Sequence, residues 1–108
     1  MDMPTITEDL TSNALEAAEL LRALSSAPRL LVMCHLATAG ELSVSELVDR
    51  VGLSQSALSQ HLAKLRAQNL VACRRQAQSI YYRVADPKAL RLLQLLQDLF
   101  CKDIGASA

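Results

Sequence analysis

The chain has no tryptophan, one phenylalanine and two tyrosines among its 108 residues. A core with so few rings must be built from aliphatic side chains, and the abundant leucine and alanine suit helices packed on helices. Three glycines and three prolines exclude collagen-like and low-complexity character. The longest stretch without Asp, Glu, Lys or Arg, Val51 to Ala63, is thirteen residues with several polar ones, too short for a membrane-spanning helix. Met1-Asp2-Met3-Pro4 has neither the basic nor the apolar region of a signal peptide, so a cytoplasmic protein without a membrane partner is expected. Its three cysteines are then read as thiols of a reducing compartment. The sequence offers no Gly-rich phosphate loop, no paired acids in a plausible pocket and no nucleophile beside an orienting base. It therefore reads as a non-enzyme that needs no cofactor.

What is present is an ordinary globular composition, 51% hydrophobic and 20% charged, with length for one domain over residues 1–108. The formal net charge is zero but strongly segregated. Residues 1–49 hold eight acids against two bases, residues 50–85 hold six bases and no acid, and residues 86–108 hold three of each. A basic module of this kind suits phosphate, because each Lys or Arg that neutralises a phosphate releases condensed counterion.

Residues 1–7 are expected to form a flexible arm. Leu10, Ala14, Leu15, Ala17, Ala18, Leu21 and Leu24, spaced three and four apart, predict an amphipathic helix over 8–25 with Thr7 as its cap. Ser26-Ala27-Pro28 breaks it, and Pro28 fits the first turn of a second helix that runs to about Ala37 and stops at Gly40. Ser43-Val44-Ser45-Glu46 reads as a capping box that opens a third helix ending at Val51-Gly52. Ser54 caps a fourth helix, with Leu58, Leu62 and Leu65 as its apolar stripe. After Asn69 the apolar period falls to two. Leu70 to Arg74 and Ser79 to Val84 predict a hairpin with its turn at Arg75-Gln76-Ala77-Gln78. Asp86-Pro87 caps a last, leucine-rich helix over 88–102. The expected fold is mainly α with a small β-hairpin, in the order α-α-α-α-β-β-α.

Residues 44–68 form a helix-turn-helix: Gly52 makes the turn, and Leu47, Val51 and Leu53 pack beneath it. The fourth helix presents Gln55, Ser56, Ser59, Gln60 and Lys64 on its polar face. Gln can pair with adenine in a major groove, and Ser can meet base edges or phosphate. His61 lies on the same helix and is expected to pack or hydrogen-bond beside DNA. The hairpin over 70–84, with Arg74 and Arg75 expected at its tip, reads as a wing contacting backbone or an adjacent minor groove.

Leu24-Ser25-Ser26-Ala27-Pro28-Arg29-Leu30, Glu41 to Leu47, Leu53 to Leu65 and Ile80-Tyr81-Tyr82-Arg83-Val84 resemble the ArsR/SmtB winged helix-turn-helix repressors over nearly the whole chain. The resemblance implies a homodimer built on helices 8–25 and 88–102, bound to an inverted-repeat duplex operator and released when an inducer is sensed. The leucines of the last helix also favour dimerisation, being more than one subunit can cover.

Family members that sense arsenic, cadmium or lead carry cysteines where this chain has Ser43 and Ser45, and hydroxyls are poor ligands for soft metals. The zinc-sensing pattern needs a His on the last helix, which has none. Cys34 and Cys101 are instead similar to the pair of the branch that responds to sulfide, persulfide or oxidants. In that branch a disulfide or longer polysulfide bridge lowers DNA affinity. His35 and Lys102 are the nearby groups that could favour the thiolate. A metal-responsive repressor using Cys34, Cys101 and His35 stays open as the alternative. Cys73 alternates within the first wing strand and reads as a packing residue.

Overall fold

The computed structural model describes residues 3–100, and the side chains of residues 9–100. Five helices and three short strands follow one another as α1 (Met3–Leu24), α2 (Ala27–Ala39), β1 (Leu42–Ser43), α3 (Val44–Val51), α4 (Gln55–Ala67), β2 (Val71–Gln76), β3 (Ser79–Val84) and α5 (Pro87–Phe100). The helix-turn-helix and hairpin order is the expected one. None of these helices is long and apolar enough to cross a membrane.

Local chemistry explains the boundaries. Ser26 caps α2 through its hydroxyl, which accepts from the Arg29 amide. Gly40, at a φ of 87°, closes that helix with its N–H donating to the Leu36 carbonyl (2.8 Å). At α3 the Ser43 hydroxyl accepts from the Glu46 amide (3.1 Å), and the Glu46 carboxylate accepts from the Ser43 amide (2.8 Å). This is the reciprocal cap expected from the spacing. Gly52 takes the left-handed conformation between α3 and α4, where a side chain would be strained. Ser54 caps α4, and the Asp86 carboxylate accepts from the Lys88 and Ala89 amides at the start of α5.

Three boundaries differ from expectation. Helix α1 starts at Met3, not at a Thr7 cap after a flexible arm. Pro4 falls in its first turn, where a missing N–H costs nothing. The hairpin loop is only Ala77-Gln78, so Arg75 and Gln76 belong to β2 instead of the turn. Finally, β1 adds a third strand that the sequence reading missed. It pairs antiparallel with β3, Leu42 opposite Tyr82 and Ser43 opposite Tyr81, giving the order β1-β3-β2.

The core is aliphatic. Val32, Met33, Leu36, Leu47, Leu58, Leu62, Leu65 and Leu93 are all less than 2% exposed. They bring one face each of α2, α3, α4 and α5 together under the sheet. Truncating one of them to alanine would cost about 3 kcal/mol, so the stripe on α4 fixes which face that helix turns outward.

Candidate nucleic-acid interface

Because Leu58, Leu62 and Leu65 are buried, the helical period turns Gln55, Ser56, Ser59, Gln60 and Lys64 to solvent, and all five are exposed. His61 is half-buried at the edge of this face. Beside α4 runs a groove of about 700 Å³, walled by Gln55, Ser59, Leu62 and Arg66 on one side and Ile80 and Tyr82 of the wing on the other. The helix face, the groove and the wing form one continuous surface.

The two wing arginines do not behave alike. In the hairpin register Arg74 stands opposite Tyr81 and Arg75 opposite Ile80. Adjacent strand residues face opposite sides of a sheet. Arg75 therefore shares the side of Ile80 and the groove, and it is exposed. Arg74 lies on the outer side. Its Nε donates to Glu41 Oε2 (2.7 Å), its Nη2 to Glu41 Oε1 (2.8 Å) and its Nη1 to Gln76 Oε1 (2.6 Å). The guanidinium also stands 4.9 Å from the centre of the Tyr81 ring. Hydrogen bonding to Arg74 holds the Glu41 carboxyl below its usual range, with the charges of Arg74 and Arg83 acting in the same direction. Neither arginine sits at the expected tip, since the loop is the two residues beyond β2.

Among the described residues the only ion pairs are Arg74–Glu41 and Lys88–Glu16, so Arg50, Lys64, Arg66, Arg75 and Arg83 keep their charge available. All five are exposed.

Cys34 lies on α2, half-buried against the core, and α5 packs along this helix. Gln97 Nε2 of α5 donates to the Cys34 carbonyl (3.1 Å) and to the Thr38 hydroxyl, which itself donates to the Cys34 carbonyl (2.9 Å). The last turn of α5 is thereby held against the Cys34 turn of α2. Cys101 and Lys102 lie outside the described residues. His35, expected as a cation that could favour the Cys34 thiolate, does not fit that role. Burial, then the Arg50 charge, hold its imidazole below the usual value, which disfavours the cation. Cys73 pairs with Tyr82 in the sheet, where burial and then the neighbouring Cys73 hold the phenol above its ordinary value. Among the described residues no group of three or more His, Cys, Asp or Glu could hold a metal ion.

Sequence reasoning missed Glu41, Gln97 and Thr38 as members of these sites. Each acts on a partner at least 33 residues away or through one, which no local period records.

A capped helix-turn-helix, a reading helix with an exposed polar face and a β-hairpin wing beside it define a winged helix-turn-helix DNA-binding regulator. Residues 26–72 match the family described as bacterial regulatory protein, arsR family. The chain is 49% identical over 90 residues to the nodulation protein NolR of Rhizobium meliloti, covering 83% of this chain and 73% of that one. It is 40% identical over 99 residues to the transcriptional activator HlyU of Vibrio cholerae serotype O1, covering 92% and 91%. The crystal structure of the transcriptional repressor BigR from Xylella fastidiosa superposes with a TM-score of 0.80 at 41% identity, covering 88% of this chain and 96% of that one. The chain belongs to the ArsR family. Its relatives are transcriptional repressors or activators, DNA-binding regulators and not enzymes.

Proposed function

We propose that this protein is a homodimeric transcriptional repressor that binds an inverted-repeat DNA operator and releases it when Cys34 and Cys101 become bridged. The observation that carries the DNA-binding part is the exposed face of α4 next to the wing, set in a stretch of 36 residues with six bases and no acid. Gln55, Ser56, Ser59 and Gln60 read base edges, with His61 at their margin. Lys64 and Arg75 hold phosphates. A role on operator DNA sets the protein in the cytoplasm of the bacterial cell.

The surface supports the dimer. Leu10, Leu15 and Leu21 of α1 and Leu95, Leu99 and Phe100 of α5 are each more than half exposed. A second copy would cover them, and the two reading helices would then enter major grooves about 34 Å apart.

The Gln97–Cys34 contact supports the switch, because it holds the last described turn of α5 beside the Cys34 turn. Oxidation joins the two sulfurs as both thiols lose their protons and two electrons pass to the oxidant. With a persulfide donor, one sulfur atom first transfers to a thiolate. The persulfide so formed then joins the second thiol as both lose their protons and two electrons pass to a second donor molecule, whose S–S bond breaks to give a thiol and hydrogen sulfide. Either bridge ties α2 to α5 and changes the relative populations of states with different DNA affinity.

The test follows operator binding by Cys34→Ser, Cys101→Ser and Cys73→Ser proteins during treatment with a persulfide donor, a disulfide oxidant or zinc, with mass spectrometry in parallel. The first two variants should bind DNA and fail to release it, and Cys73→Ser should release normally. Release by zinc alone, with no mass change, would move the metal-responsive reading ahead. Normal release by either Cys34→Ser or Cys101→Ser overturns the two-cysteine switch.

A further inference from the structure

The strand order β1-β3-β2 puts Glu41, at the threshold of β1, and Arg74, on β2, on opposite sides of the central strand. The Arg74 side chain bridges that gap. It passes over the Tyr81 ring of β3 and closes a two-point pair on the Glu41 carboxylate. Only two residues of β1 pair with β3, whereas six residues of β2 do. Val71, Tyr82 and Val84 anchor the base of the hairpin in the core, whereas residues 74–79 of its distal half are exposed. Backbone pairing alone leaves the angle of that half relative to the helix-turn-helix soft.

From this geometry we infer that Glu41 and Arg74 are positioning residues, a strap across the outer face of the three-stranded sheet that sets the angle of the wing relative to the reading helix, and that the wing's phosphate contact falls to Arg75. Three features favour this assignment over a direct phosphate contact for Arg74. The guanidinium already has Nε and both terminal nitrogens donating, and its face is over an aromatic ring. Paired with a carboxylate, it brings no net charge and so releases no counterion from DNA. It also lies on the sheet face away from the α4 groove, whereas Arg75 lies on the groove side with no ion pair among the described residues. A fork that matches a carboxylate at two points fixes direction as well as distance, which a lysine at this position would not do.

This inference rests on the DNA-binding reading, and the experiment separates the two. The probe is the duplex that the wild-type protein selects from a randomised library, with a scrambled duplex as control, titrated over a range of salt. The proteins are wild type, Glu41→Gln, Arg74→Gln, the double variant, and the charge swap Glu41→Arg with Arg74→Glu. Removing an acid from a DNA-binding surface would ordinarily tighten binding. The strap predicts the opposite: Glu41→Gln weakens the selected duplex about threefold per wing. Arg74→Gln weakens it equally, with the salt slope unchanged, and the double variant is no worse than either single one. The charge swap recovers most of the loss. Thermal melting checks that each variant remains folded, as the exposure of both side chains leads one to expect. Unchanged or tighter binding by Glu41→Gln overturns the strap. So does a salt slope flattened by about one unit in Arg74→Gln, the mark of a lost phosphate contact. If wild type does not prefer its selected duplex to the scrambled one, the DNA-binding reading and the strap fall together. If it does and Glu41→Gln is indifferent, only the strap falls.

Discussion

Leu99→Glu separates dimer formation from the folding of one subunit. Leu99 is 65% exposed in the single chain, whereas Leu96, just before the last turn and half-buried, also serves the subunit's own packing. A charge at Leu96 would confuse the two effects, and a charge at Leu99 does not. Burying a whole leucine side chain stabilises by about 2 kcal/mol, so covering the exposed part of Leu99 contributes about 1.3 kcal/mol. A twofold interface makes each contact twice, which brings the loss to about 2.6 kcal/mol, or roughly a hundredfold in dissociation constant. Desolvating two carboxylates adds to that. Sedimentation equilibrium over a concentration series, with 11.7 kDa for one chain, reads the constant directly. Circular dichroism should show an unchanged helical fold. A Leu99→Glu protein that dimerises as tightly as wild type would refute the assignment of α1 and α5 to the interface, and so would a wild-type protein that is monomeric throughout.

Arg75→Gln should weaken binding to all duplexes alike and lower the salt slope by about one unit per lost contact, measured by fluorescence titration. Ala77→Gly should raise the melting temperature, because Ala77 sits at a φ of 56° in the hairpin loop, a conformation that costs a residue with a Cβ about 1 kcal/mol. His35 carries a depressed imidazole pKa, so its contribution to stability is complete above the unfolded value of about 6.5 and is lost as pH falls below it. In urea melts between about pH 7.5 and 5.5, wild type should lose stability on acidification and His35→Gln should lose less. A His35→Gln protein that still loses as much stability on acidification would exclude His35 as the cause.

What was legible in the sequence was whatever is decided within one turn of helix or one pair of strand residues. The Ser43–Glu46 capping box, the Ser54 and Asp86 caps and the leucine stripe of α4 were all readable, because three- and four-residue spacings set them. The wing was readable as a hairpin but not in detail. Its loop has no glycine at the positive-φ position that two-residue turns favour, so nothing local separates Arg75 and Gln76 of β2 from the turn. Strand β1 escaped because two residues make no period and its partner lies forty positions along the chain. The same physics hid the Gln97 bridge to Cys34, which exists only because α5 packs along α2.

Charge segregation, the strongest global signal in the sequence, needs the structure to be weighed correctly. The acids just before the basic module could have weakened its attraction for phosphate, since Glu41, Glu46 and Asp49 all lie within ten residues of it. Two of them are occupied by the fold. Glu46 accepts from the Ser43 amide in the cap of α3, and Glu41 is neutralised by Arg74 on the outer face of the sheet. The Glu41 charge is thereby met by a cation, and the Glu46 charge is fixed at the N-terminus of α3, where the helix dipole favours it. The balance beside α4 is set by Lys64, Arg66 and Arg75, which have no acid partner among the described residues, and a protein of zero net charge keeps a positive reading surface.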